Sequence, residues 1–263
     1  MLILLPPSEG KTDALEGPPL VVEGLSIPEL TKSRLRVLNA LVTLCNGRPT
    51  RARRILGLSA GQGGEIDRNR DLRSAPTAPA ADVYGGVVYD FLGYRTLAAP
   101  ARRRLDRWVV VGSALWGAIR LTDHIPAYRL SGDVTLPRIG PVGTFWRKPL
   151  ATTLPSEAGA AGPILDLRSA AYARMWTPDA DLAERVAIGR VLQRQPDGTA
   201  KVVSHHNKAT KGRLVRALAE QGGTPDSVGE LADLIESVGF PVALQPGASG
   251  KPARLDVVVD ELY

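Results

Sequence analysis

Apolar positions follow two rhythms along this chain. Leu2–Leu5 is a continuous apolar run closed by Pro6 and Pro7, too short for a helix, so it predicts a strand buried on both faces. Leu30, Leu35, Leu38, Leu41 and Val42 then recur at helical spacing towards Cys45. Ser26-Ile27-Pro28 opens that helix, with Pro28 at an early position where its missing N–H is not needed. "RARRILGL" continues as a short basic helix, and "SAGQGG" breaks it. Residues 74–82, rich in Ala and Pro, predict a loop, and "VYGGVVYDFL" carries a turn signal. "RRRLDRWVVVGSALWG" passes from a basic helix into a buried strand at residues 108–111, and "GPILDL" predicts a second buried strand around Asp166. "ERVAIGRVLQR" alternates, and "AKVVSHH" follows it beyond a Pro-Asp-Gly turn, which predicts an antiparallel pair. Helices are predicted over Asn207–Gln221 and residues 227–237, with strands in "FPVALQ" and "RLDVVVDEL" closing the chain. Strands and helices mix without a steady βαβ beat. That argues for one α+β or mixed α/β domain over residues 1–263, with a central mixed sheet and flanking helices, rather than a doubly wound sheet.

Composition narrows the partners. At 263 residues and 44% hydrophobic, the chain can bury a large core. A net charge of +6 favours anionic partners: nucleic acid, nucleotides or an anionic surface. Cys45 is the single cysteine, so neither a disulfide within the chain nor a Cys-rich metal cluster can form. The apolar start has no basic residue before it and stops at the prolines, unlike a secretion signal, and no window is long enough to span a bilayer. The expectation is a soluble, cytoplasmic protein with no membrane partner.

Candidate chemistry starts at "PPSEGKT". A phosphate loop would need glycine at position 5 and free N–H groups after it; Leu5, Pro6 and Pro7 exclude that. What remains is a polar turn, with Ser8, Glu9 and Lys11 at the end of a strand, where sites in α/β proteins gather. His205 and His206 suggest metal, but neighbours on a strand face opposite ways and His124 stands apart. No metal or other cofactor is called for, although an iron site of two histidines and a carboxylate stays open. Ser113 and Ser204 each follow an apolar run without the elbow of a serine hydrolase. Lys208, Lys211, Arg213 and Arg216 crowd the start of a predicted helix, a place that suits a phosphate as well as plain solvation. In "WGAIRLTDHIPAYRL", Trp116 and Tyr128 offer faces for a nucleobase and Arg120 and Arg129 offer phosphate clamps; packing in the core is the alternative. "ARRILGLSAGQGGEI" has a helix–glycine hairpin–helix character suited to a DNA backbone.

Several segments, in order, resemble one family. They are "MLILLPPSEGKT", "DVYGGV", "SALWGAIRLTDHIPAYRL", "TFWRKPL" and "KVVSHHNKATKG". The chain is thereby similar to the YaaA family, also termed DUF328 or UPF0246, the peroxide stress response proteins. The resemblance implies a single α+β domain of unusual topology with a basic cleft. It also implies a role in limiting iron-driven oxidative damage and binding to duplex or distorted DNA. The matching positions are Lys11, Tyr84, Ser113, Arg120, Asp123, Tyr128, Arg129, Phe145, Trp146, Ser169, Tyr172, Ser204, Lys208 and Gly212.

The leading expectation is therefore a DNA-binding stress protein. Lys11, Arg120, Arg129, Lys208, Lys211 and Arg213 would meet phosphates, and Trp116, Tyr128 or Trp146 would stack a base. The rival is an enzyme acting on a small nucleotide-like or phosphorylated ligand. Its pocket would draw on Ser8, Lys11, Tyr128, Ser169 and Ser204 at strand ends, with Tyr84, Ser113, Trp116, Asp123, Trp146 and Tyr172 around them. An open basic groove favours the first and a closed pocket with convergent polar groups the second.

Overall fold

The computed structural model describes residues 1–194, 200–202 and 207–259. Ser204, His205 and His206 lie outside the described residues. The main sheet comprises β1 (Leu2–Leu5), β3 (Val109–Ser113), β4 (Gly117–Ile119), β8 (Ile164–Asp166), β9 (Val186–Arg194), β10 (Ala200–Val202), β11 (Val242–Gln245) and β12 (Ala253–Val259). Two short ribbons lie apart from it: β2 (Ala78–Pro79) with β5 (His124–Ile125), and β6 (Thr135–Leu136) with β7 (Gly140–Pro141).

The sheet runs β11-β12-β9-β8-β1-β3-β4, with β10 also paired to β9. β12, β9, β8, β1 and β3 are mutually parallel, while β4, β10 and β11 are antiparallel to their neighbours. β1 sits between two parallel partners, Ile3 facing Val109 on one side and Leu165 on the other. All four of its residues are buried, as an unbroken Leu/Ile run demands. The predicted β9–β10 pair is antiparallel, with Val202 opposite Leu192. The fold is α+β with a mixed sheet flanked by helices, as expected.

Strand order also creates a crevice. From β1 the chain proceeds to β3 on one side, whereas from β8 it proceeds to β9 on the other. The loops leaving the carboxyl ends of β1 and β8 therefore diverge, which leaves a gap at that end of the sheet.

Helices cover this frame. α1 (Thr31–Cys45) is preceded by a 3-10 turn at Pro28–Leu30, so the helix predicted from Pro28 begins a turn later. α2 (Pro49–Leu56) and α3 (Gly64–Arg70) pack on it. α4 (Ala80–Val83) and α5 (Val87–Leu92) precede α6 (Ala99–Trp108), which ends where the next strand begins; Trp108 belongs to the helix. Residues 74–82 are not only loop. β2 and the start of α4 lie there, because the Ala80 and Ala81 N–H groups donate to the Asp123 and Leu121 carbonyls. α7 (Val142–Ala158) went unpredicted, since Pro149 and Pro155 lie inside it. Its buried residues Val142, Trp146, Leu150 and Leu154 recur every four positions, and that stripe holds the helix against the core despite the prolines. α8 (Ala170–Ala173), α9 (Ala180–Ala183), α10 (Asn207–Gln221) and α11 (Val228–Ser237) complete the set.

Candidate functional site

The crevice is built first by the loop that leaves β1. Pro6 and Pro7 carry no N–H and cannot extend the ladder, so the strand stops. The chain is caught again at Lys11, which bridges to Tyr84, and at Thr12, whose N–H donates to the Val83 carbonyl at 2.9 Å. Between these anchors the Pro6 carbonyl accepts the Tyr89 hydroxyl at 2.7 Å. A cavity of about 480 Å³ opens against this loop. Residues 6–12 and 85–89 form its walls, and Ser169, Tyr172 and Lys208 complete it. Its size suits a small-molecule ligand.

Two glycines shape that wall. Gly86 has φ 82°, a conformation an L side chain rarely adopts, and it starts α5 directly after the turn. Gly212 lies where α10 crosses α5, and a Cβ there would collide with the Val88 carbonyl oxygen. Only glycine lets the two helices approach so closely, and that approach brings Lys208 to the cavity.

Lys11 is the most perturbed cation of the cavity. Its Nζ donates to the Ser8 carbonyl at 2.8 Å and lies 4.0 Å from the centre of the Tyr128 ring and 5.6 Å from that of Tyr84. Burial pushes its pKa down to about 7; Glu9 opposes this and Arg129 adds to it. The rings belong to a buried chain of hydroxyls. Tyr84 and Tyr128 share a hydrogen bond of 2.9 Å, Tyr128 and Ser113 one of 2.7 Å, and Ser113 accepts the Trp116 N–H at 3.0 Å. Burial pushes both phenols well above their ordinary range, so they stay neutral. Tyr172 donates to Glu9 Oε1 at 3.3 Å, and its phenol too is pushed up, by burial first and by Glu9 second.

A depressed lysine has a definite stability signature. Between about pH 7 and the ordinary lysine range, the unfolded chain holds a proton that folded Lys11 has lost, so the folded state gains relative stability as pH rises. Below pH 7 the full cost of burying the ammonium is present. The stability gap between Lys11→Met and the parent should shift in the parent's favour from pH 7 to pH 10, measured by urea unfolding. A gap independent of pH would contradict the depressed value.

The structure sorts the residues singled out by sequence. Ser8, Lys11, Ser169, Tyr172 and Lys208 meet in the cavity. Tyr84, Tyr128 and Ser113 lie buried beneath it. Arg129 is at the rim, donating to the Glu9 carbonyl at 3.0 Å and lying 3.6 Å from its carboxylate. Lys211 turns into the interior and donates to the Leu167 carbonyl at 2.9 Å; burial lowers its pKa to about 8, with Asp166 opposing. It is spent on the fold rather than offered to a phosphate. Arg213 stacks 4.5 Å from the Phe91 ring, and Arg216 bonds to Thr96 at 2.8 Å and pairs with Glu220.

Arg120 is a clear correction. It follows β4, whose antiparallel course carries it to the amino end of β3, and there it bonds the Arg107 and Val109 carbonyls and pairs with Glu157. That is the opposite end of the sheet from Lys11. Asp123 is a brace, accepting from the Ser26 N–H and hydroxyl and from the Arg120 N–H. The stacking role fails as well: Trp116 and Trp146 are 0% exposed and Tyr128 1%, and Trp146 Nε1 donates to the Ala114 carbonyl. Buried rings present no face to a base. Phe145 is half-buried, under the Arg36 guanidinium at 5.0 Å.

A second feature escaped the sequence reading. An open groove of about 710 Å³ lies between α1, the start of α2 and residues 137–139. Arg36, Arg48, Arg51 and Arg138 line it, all exposed. Among the described residues none of the four forms an ion pair, while Arg68, Arg70, Arg95 and Arg174 all do. The arginine density of "GRPTRARR" was visible, but not the groove it meets.

Residues 1–243 match the family described as peroxide stress protein YaaA, a stretch that holds every lining residue of the cavity and the groove. The chain belongs to this family. Within the YaaA family, a UPF0246 protein of Streptomyces coelicolor is 48% identical over 100% of both chains. UPF0246 proteins of Corynebacterium efficiens and Corynebacterium glutamicum are 42% and 39% identical, each over 94% of this chain and 96% of its own length. Among the described residues no helix is long and apolar enough to cross a membrane, and no three His, Cys, Asp or Glu side chains cluster as metal ligands.

Proposed function

We propose that this YaaA family protein binds duplex nucleic acid at the arginine groove, and that by covering DNA it helps limit iron-driven oxidative damage. One observation carries the reading: Arg36, Arg48, Arg51 and Arg138 converge on an open groove with no carboxylate neutralising them among the described residues. Guanidinium groups held this way match phosphate oxygens and displace counterions from a duplex. The neighbouring hairpin supports it. Gly57 closes α2 in the left-handed conformation, Ser59 and Gln62 form a capping box, and α3 follows. α2 is about 12 Å long, so groove and hairpin can meet one stretch of phosphate backbone. The phosphate contacts expected of Arg120 and Lys211 pass to these arginines.

The test is fluorescence anisotropy with a short duplex across a salt series. Binding should weaken as salt rises, and Arg48→Ala with Arg51→Ala should lower the slope of log affinity against log salt by about 2. Affinity that ignores salt, or that both substitutions leave unchanged, would remove the groove from the function.

A further inference from the structure

We infer that the cavity at the carboxyl end of β1 is a site of amine chemistry, where Lys11 Nζ forms an imine with a small aldehyde or ketone whose anionic group lies against Lys208. This is independent of nucleic-acid binding at the groove, because the two sites share no lining residue.

The geometry meets the needs of a nucleophilic amine. Lys11 is fixed at both ends of its loop, and its Nζ is held by the neutral carbonyls of Ser8 at 2.8 Å and Glu9 at 3.4 Å. Among the described residues no carboxylate pairs with it, so no ion pair has to break before it reacts. Pro6, Pro7, Val87 and Val88 give the cavity an apolar wall. Desolvation there keeps roughly half the amine unprotonated near neutral pH, as its pKa of about 7 requires. An ordinary exposed lysine is almost wholly protonated at that pH.

The groups needed to move protons share the space. Glu9 and Tyr172 line the same cavity and are hydrogen bonded to each other. In the step itself, the Nζ lone pair attacks the carbonyl carbon, and the carbonyl electron pair becomes a hydroxyl by taking one of the two amine protons, relayed by Glu9. Nitrogen then gives up its remaining proton to Glu9, which passes it to the leaving hydroxyl so that it departs as water, while the Tyr172 hydroxyl stays protonated and orients the Glu9 carboxyl. One C–N double bond forms, one C–O double bond is lost, and one water is released, with no oxidant or reductant. The imine withdraws electrons from the adjacent carbon, which is the use most enzymes make of it. Lys208 marks the end of the cavity where a phosphate or carboxylate on the substrate would be held.

The experiment is reductive trapping. The full chain is incubated with glyceraldehyde 3-phosphate and cyanoborohydride at pH 8 and pH 6, then read by intact mass and peptide mapping. A single adduct at Lys11 is expected, forming about tenfold faster at pH 8, as a group of pKa about 7 dictates. Lys11→Arg should abolish it with far-UV dichroism unchanged. Lys208→Ala should raise the half-saturating concentration of the phosphorylated aldehyde about tenfold and leave that of glyceraldehyde unchanged. The map of the parent protein names the modified residue directly, whether or not the variants fold. Label spread over the other lysines, label only at the Met1 amine (also lowered by burial), or no label would overturn the proposal. An adduct at Lys11 that Lys208→Ala does not affect would overturn the anionic substrate.

Discussion

Replacing Arg34 by methionine should lower the unfolding free energy by about 3–5 kcal/mol. Arg34 sits on the inner face of α1 and is wholly buried. Its Nε donates to the Trp116 carbonyl at 3.0 Å, and its Nη2 donates to both the Ser26 carbonyl at 2.6 Å and the Ala118 carbonyl at 2.7 Å. One guanidinium thus ties a helix to the β3–β4 hairpin and to the turn that Asp123 braces. Methionine fills much of the same space but donates nothing; the Trp116 carbonyl keeps the Ala118 N–H, while the Ser26 and Ala118 carbonyls lose this donor, each at a cost of about 1–3 kcal/mol. Burial lowers the Arg34 pKa to about 10, with Asp123 opposing, so the group is charged throughout the neutral range. The loss should therefore be the same at pH 6 and pH 8 in urea unfolding. A change below 1 kcal/mol would mean that these carbonyls find other donors.

The second large effect is at Asp166. Asp166→Asn should cost about 3 kcal/mol and loosen the segment that carries Ser169 and Tyr172. The carboxylate at the end of β8 accepts the Arg168 Nε at 2.9 Å, a terminal nitrogen of Arg168 at 2.7 Å and the Arg168 N–H at 3.0 Å. The same guanidinium donates to the Tyr172 and Trp176 carbonyls, so the pair is a clamp on the loop that follows. Both partners are buried, and neutralising one strands the other as an uncompensated charge. Hydrogen exchange gives the discriminating readout: amides of residues 169–176 should exchange faster in the variant while those of α1 do not. Equal exchange throughout would reduce the change to global stability alone.

These two arginines show where sequence reading stops. Arg34 lies in α1, read correctly as a helix, and Arg168 follows just beyond the strand read around Asp166, yet neither stood out, because a buried arginine looks like a surface one until its acceptors are known. Leu2–Leu5, Asn207–Gln221 and the β9–β10 pair were legible because apolar spacing and turn residues act within a few positions. α7 was not, since its prolines are a local veto that long-range burial of Trp146 and Leu150 overrode.

The candidate site divides in the same way. By itself the sequence determined a strand ending in a polar turn at Lys11, a cationic start to α10, and an excess of positive charge seeking an anion. Which cations meet was decided by tertiary structure alone. Lys11 and Lys208 face one cavity because β1 lies beside β8 and glycine at 212 lets α10 close on α5; Arg120 is sent to the far end of the sheet by the reversal at β4. Charge and aromaticity carry no period along a chain, so their environments follow from strand order and packing between distant segments rather than from any local pattern.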